Sequence, residues 1–98
     1  MTSMDIDTQH LLNAQTGKIS WKELARHFAR GAVVCVGAGQ DLVLIAECLV
    51  RDQADEIARL YDKGALHRAT DEDASGWEQR NSEFWAVVVA PWVLVQEL

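Results

Sequence analysis

At 98 residues, 49% of them apolar, the chain is a single domain, 1–98, able to bury roughly 60–65% of its unfolded surface around one core. A net charge of −6 argues against partners gripped through phosphates, so neither nucleic acid nor a membrane surface is expected as a partner. The longest apolar run has twelve residues, short of the roughly 20 that a membrane-spanning helix needs. The start, with Asp5 and Asp7 but no basic residue and no apolar stretch, is no secretory signal, and the expected location is cytoplasmic.

Residues 1–4 are expected to be flexible. Asp5 or Asp7 caps a short helix to about residue 15, anchored by Leu11 and Leu12 and closed at Thr16-Gly17. Ser20 with Glu23 has capping-box spacing, and Trp21, Leu24, Ala25, Phe28 and Ala29 trace one apolar stripe. Gly31 stops that helix. Residues 32–36 read as a strand apolar on both faces, 37–40 as a turn, and Asp41 as the cap of a nearly all-apolar helix over 42–50. Asp52 and Asp55 open a separate helix with Ala54, Ile57, Ala58 and Tyr61 as its stripe, ended by Gly64. Residues 65–69 read as an edge strand. Thr70 opens a last helix anchored by Ala74 and Trp77.

Residues 84–95 hold eleven apolar residues, Pro91 and no charge. In a strand Phe84, Ala86, Val88 and Ala90 face one way, and Trp85, Val87 and Val89 the other. Both faces are apolar, so both need covering. Pro91 marks a bend, a bulge or a change to an edge, with Val93 and Val95 continuing in extended form. The expected class is α+β: a small single domain with an about three-stranded mixed sheet. Its buried C-terminal central strand, 84–90, bends at Pro91, and the sheet packs against four to five short helices.

The stretch from Val33 to Leu42, with Gly37 and Gly39, begins like a dinucleotide fingerprint. Leu42 stands where the third glycine belongs, and Asp41 sets a negative charge where phosphates would sit. The stretch reads as a tight turn and a capped helix, and no cofactor is assigned. His10, His27 and His67 lack metal-ligand spacing, and Cys35 and Cys48 form no CxxC. Both cysteines fall on apolar faces of core elements, where thiols are inert. No metal ligand and no catalytic residue is assigned.

Two charge patches stand out. Segment 18–30 carries a net of +3, with Lys22, Arg26 and Arg30 on one helix edge. Segment 70–83 carries a net of −4, led by Asp71, Glu72 and Asp73. These six residues are the candidate partner-binding surface. Trp21, Trp77, Trp85 and Trp92, with His67 or Arg68 near the mouth, are candidates for lining an apolar ligand pocket.

The chain resembles the small bacterial proteins grouped as domain of unknown function 2288 (DUF2288). The resemblance rests on Ile19-Ser20-Trp21-Lys22-Glu23-Leu24, on Gly31 followed by 33–36, on Asp41-Leu42-Val43, and most of all on 85–96. It implies a small standalone bacterial protein and brings no activity, cofactor or catalytic residue.

Function is unknown on this reading. A non-enzymatic bacterial cytosolic interaction protein, acting as a homodimer, fits the apolar excess and the opposed patches. A small-molecule binding module with a tryptophan-lined pocket is the alternative. A small enzyme assembled from scattered His, Cys and carboxylate groups is the third.

Overall fold

The computed structural model describes residues 16–98. The expectations for residues 1–15, a flexible start and a first helix, lie outside the described residues. The elements are β1 (Gly17–Ser20), α1 (Trp21–Ala29), β2 (Val33–Val36), α2 (Leu42–Val50), α3 (Ala54–Asp62), β3 (Leu66–Arg68), α4 (Asp71–Arg80), β4 (Glu83–Val89) and β5 (Trp92–Glu97).

The helix starts follow from local chemistry. The Ser20 hydroxyl accepts from the Glu23 amide at 3.3 Å, and Glu23 reaches back to the Ser20 amide. Asp41 Oδ1 accepts from the Val43 and Leu44 amides, both at 3.1 Å. Thr70 and Asp73 form a second capping box, with Asp73 in the N3 place more usual for glutamate. The start of α3 departs from expectation: Gln53 stands at the N-cap and makes no side-chain capping bond. Asp52 instead closes α2, at φ +54°.

The helix ends share one device. Gly31, Asp52, Gly64 and Asn81 each adopt the left-handed conformation just past a helix. The amides of Ala32, Gln53, Ala65 and Ser82 then bond back to His27, Cys48, Leu60 and Trp77. This is the Schellman closure, which satisfies carbonyls that the helix leaves open.

The sheet has five strands, not three, in the order β1-β4-β5-β2-β3. Only the inner pair β5–β2 is parallel; the other pairs are antiparallel. The expectation fell short for two reasons. Residues 84–95 are not one bent strand but a hairpin: the Ala90–Pro91 peptide is cis, the two residues form the turn, and Val89 pairs with Trp92. Gly17, expected beside a helix end, is the first residue of β1, a short four-residue strand that pairs with β4. The central strand is therefore β5, not 84–90.

Four helices cover the sheet among the described residues. α2 and α3 pack on one face, with Leu42, Ile45, Ala46 and Leu60 against Val34, Val36, Leu66, Val87 and Leu94. α1 and α4 pack on the other, with Leu24 and Trp77 against Val33, Phe84, Ala86, Val93 and Val95. The expected cover over β4 is incomplete: Val88 is 61% exposed and Trp85 39%. The nearly all-apolar α2 likewise exposes Leu44 and Val50.

Ser82 is the one buried polar residue among those described. Its hydroxyl donates to Glu97 Oε2 at 2.6 Å, and Arg80 donates to both Glu97 oxygens at 3.1–3.2 Å. The end of β5 is thereby clamped to the end of α4. Burial alone raises the Glu97 carboxyl, but the hydrogen bonds from Ser82, Arg80 and Trp77 and the charge of Arg80 hold it below its ordinary 4.5. A carboxyl depressed by folding stabilises the fold above its ordinary value, and that contribution is lost as pH falls through the folded value. The wild-type thermal midpoint should therefore fall between about pH 6 and about pH 3, whereas Glu97→Gln should start lower and fall less steeply. Parallel slopes for the two proteins would remove Glu97 from the account.

Candidate functional site

The register of β2 against β3 pairs Cys35 directly with His67. Cys35 lies on the face that carries α1 and α4. His67 points to the same side, since cross-strand partners share a face. The next turn of chain brings α4 over them, and its N3 residue Asp73 meets the imidazole: His67 Nε2 and Asp73 Oδ2 are 2.9 Å apart. One ligating atom from each of Cys35, His67 and Asp73 lies within 4.8 Å of the others.

The three side chains line a cleft of about 280 Å³, beside Val36, Ala38, Trp77, Val95, Glu97 and Leu98. It opens at the carboxyl ends of the parallel pair β2 and β5, where ligands bind in many sheets with parallel strands. Cys35 is buried, Asp73 half-buried and His67 exposed, so the cluster runs from the protein interior to solvent.

Its electrostatics differ from those of a nucleophile. Burial, then the charges of Asp73 and Glu97, push the Cys35 thiol up to about 12. At neutral pH it is a protonated thiol, not the thiolate that attacks electrophiles. Burial also raises Asp73, but the Thr70 amide, the His67 ring, the Thr70 hydroxyl and the His67 charge together hold it below the usual carboxylate range. Thr70 N–H and His67 both bond Oδ2; neither uses Oδ1.

The tryptophans do not line one pocket, because the sheet divides them. Trp77 packs on the α1/α4 face, 5.5 Å from Trp21 and 4.9 Å from Phe84 between ring centres. Trp92 packs on the opposite face under Arg68, and Trp85 lies beside Leu42 and Val43, with Lys18 over its ring. Of the proposed lining only His67 and Trp77 meet in the cleft. Lys22 and Arg26 are exposed on α1 and Arg30 at its C-cap, and Asp71 and Glu72 are exposed on α4. Among the described residues no ion pair joins the two sets. Asp73 leaves the acidic patch, being engaged with Thr70 and His67.

The Gly37–Gly39 turn is also accounted for. Gln96 Nε2 donates to the Gly37 and Gln40 carbonyls, both at 2.8 Å, and Asp41 occupies the amides at the start of α2. A larger, shallow depression of about 400 Å³ beside this turn is bordered by Asp41 and Gln96, whose side chains are engaged in these bonds.

Sequence reasoning missed the Cys35–His67–Asp73 cluster. Its signal is the strand pairing, and nothing in the chain announces that residue 67 will face residue 35. Cys48 sits on α2, across the sheet. In the native protein iodoacetamide should modify Cys48, which is part-exposed, well before Cys35. Peptide mass spectrometry over a time course reads the order, and equal rates would contradict the buried, protonated state of Cys35.

The family model described as "Protein of unknown function (DUF2288)" matches residues 7–97, and the chain belongs to that family. Among solved structures the chain is similar to the NMR solution structure of PA1075 from Pseudomonas aeruginosa. The two share 43% sequence identity and a TM-score of 0.80 over 88% of this chain and 80% of that one. No curated protein matches the chain. No helix among the described residues is long and apolar enough to cross a membrane.

Proposed function

We propose that this DUF2288 member is a small-ligand binding module and that the cleft between β2, β3, β5 and α4 is its site. One observation carries the reading: Cys35, His67 and Asp73, from three separate elements, converge on one cavity with an apolar wall at Trp77. A few polar groups converging in an otherwise apolar concavity is the usual composition of a ligand site. The protonated thiol supports binding over covalent catalysis, because nucleophilic attack requires the thiolate.

Amide NMR spectra of the full chain with acetate, inorganic phosphate, imidazole and indole fragments test this reading. The expected shifts centre on Cys35, Ala38, His67 and Leu98 and on the Trp77 indole. If no fragment and no divalent cation moves these signals, or only signals elsewhere move, the cleft is not the site.

The charge patches favour a second reading. The exposed basic edge of α1 and the exposed acids of α4 lie on helices packed side by side, with no ion pair between them. Such a face is self-complementary across a two-fold axis, so a second copy of the chain fits it. Light scattering should then give a dimer mass at low salt and a monomer mass in about 1 M salt, where charges are screened beyond ~3 Å. Arg26→Glu should be monomeric throughout, and a wild-type monomer at low salt would rule the pairing out.

A further inference from the structure

Taking the cleft as the binding site, we infer that its ligand is a transition-metal ion of the zinc class, held by Cys35, His67 and Asp73 with a fourth position open to the cavity. The donor set selects the ion. A thiolate, an imidazole and a carboxylate are zinc ligands, whereas calcium and magnesium demand oxygen. Three protein ligands with an open fourth position is the pattern of zinc sites that meet water or a substrate.

The geometry is near the required one. Bonds of roughly 2.0–2.3 Å to a tetrahedral ion set the ligand atoms roughly 3.3–3.7 Å apart. Here the three atoms lie within 4.8 Å, and His67 Nε2 and Asp73 Oδ2 are 2.9 Å apart. Cys35 is held rigidly on β2, the most buried strand. His67 is the more accessible partner, half-exposed on a three-residue edge strand. Its bond to Asp73 would give way to two metal bonds.

The outer shell is also present. The Thr70 amide orients the Asp73 carboxylate, as outer partners of metal ligands do. Glu97 borders the same cleft but is engaged by Arg80 and Ser82, so it shapes the rim. On binding, the Cys35 S–H bond breaks, the thiolate keeps the electron pair and donates it to the ion, and the proton leaves to solvent.

The test uses the full reduced chain with Co²⁺ and Zn²⁺ alone. Co²⁺ should bind one to one and give tetrahedral visible bands with a sulfur-to-cobalt charge-transfer band, and Zn²⁺ should displace it while Mg²⁺ does not. His67→Ala, at an exposed position that spares the fold, should weaken binding by more than the roughly 10–100-fold that losing an outer partner costs. Asp73→Asn keeps an oxygen for the helix cap and should also weaken binding. Cys35→Ser should abolish the charge-transfer band, and Cys48→Ser should leave it intact. A band that follows Cys48, or Co²⁺ binding indifferent to His67→Ala, overturns the inference. Absence of Co²⁺ binding, while organic fragments still move the cleft signals, overturns the metal and leaves the binding module standing. If neither metal nor fragment reaches the cleft, both fail.

Discussion

The structure depends on burying β5 and β2 on both faces. Val33, Val34, Cys35 and Val36 are all buried, as are Val93, Leu94 and Val95. Strands apolar on both sides need a helical layer on each face, and the chain supplies two helices to each. Full burial of a large apolar side chain stabilises by about 1.5–3 kcal/mol. Leu24 and Phe84 on one side and Leu66 and Leu94 on the other, each at most 1% exposed, are therefore the main anchors of the layers. The hairpin at Ala90–Pro91 makes this possible, since it sets β4 beside β5 instead of extending past it.

That arrangement also assembles the cleft. β3 is three residues long and is anchored by Leu66, which pairs with Val36 and is 1% exposed. The anchor sets the register, and the register sets His67 opposite Cys35. A slip of one residue would turn His67 to the other face. Asp73 arrives by a separate rule: α4 begins at Thr70, and its capping box needs an acceptor at the N3 position. One residue thus closes a helix start and faces a thiol–imidazole pair. Structure and chemistry share Asp73, so a change there disturbs both.

Much of the fold was legible because its signals are local. Ser20 with Glu23, Asp41, Thr70, Gly31 and Gly64 each mark a helix boundary by their own chemistry. The edge strand around His67 and the two helices within 41–63 were legible in the same way. What escaped is non-local. β1 has no apolar alternation and becomes a strand by pairing with β4. In sequence Asp52 suits a helix start because acids favour that position, yet aspartate also tolerates the left-handed conformation that closes a helix. The tryptophan pocket failed because period-2 alternation sorts residues within one strand but not between α1, α4, β4 and β5. The Cys35–His67–Asp73 cluster was missed for that reason too: its separations, 32 residues and 6, match no motif, and only the register creates it.

The chemistry of the cleft follows from where regular packing gives out. Cys35 belongs to the core by burial, yet its neighbours on the open side are an imidazole and two carboxylates. Those carboxylates disfavour a thiolate, so the site works against nucleophilic use of the sulfur. A cation reverses the balance, because it is attracted by the same carboxylates and stabilises the thiolate they oppose. The arrangement that keeps Cys35 protonated by itself is therefore the one in which a bound cation would make it a ligand. Arg80 pairs with Glu97 at the rim and offsets its charge, so Asp73, whose charge acts more strongly on the sulfur, supplies most of this effect.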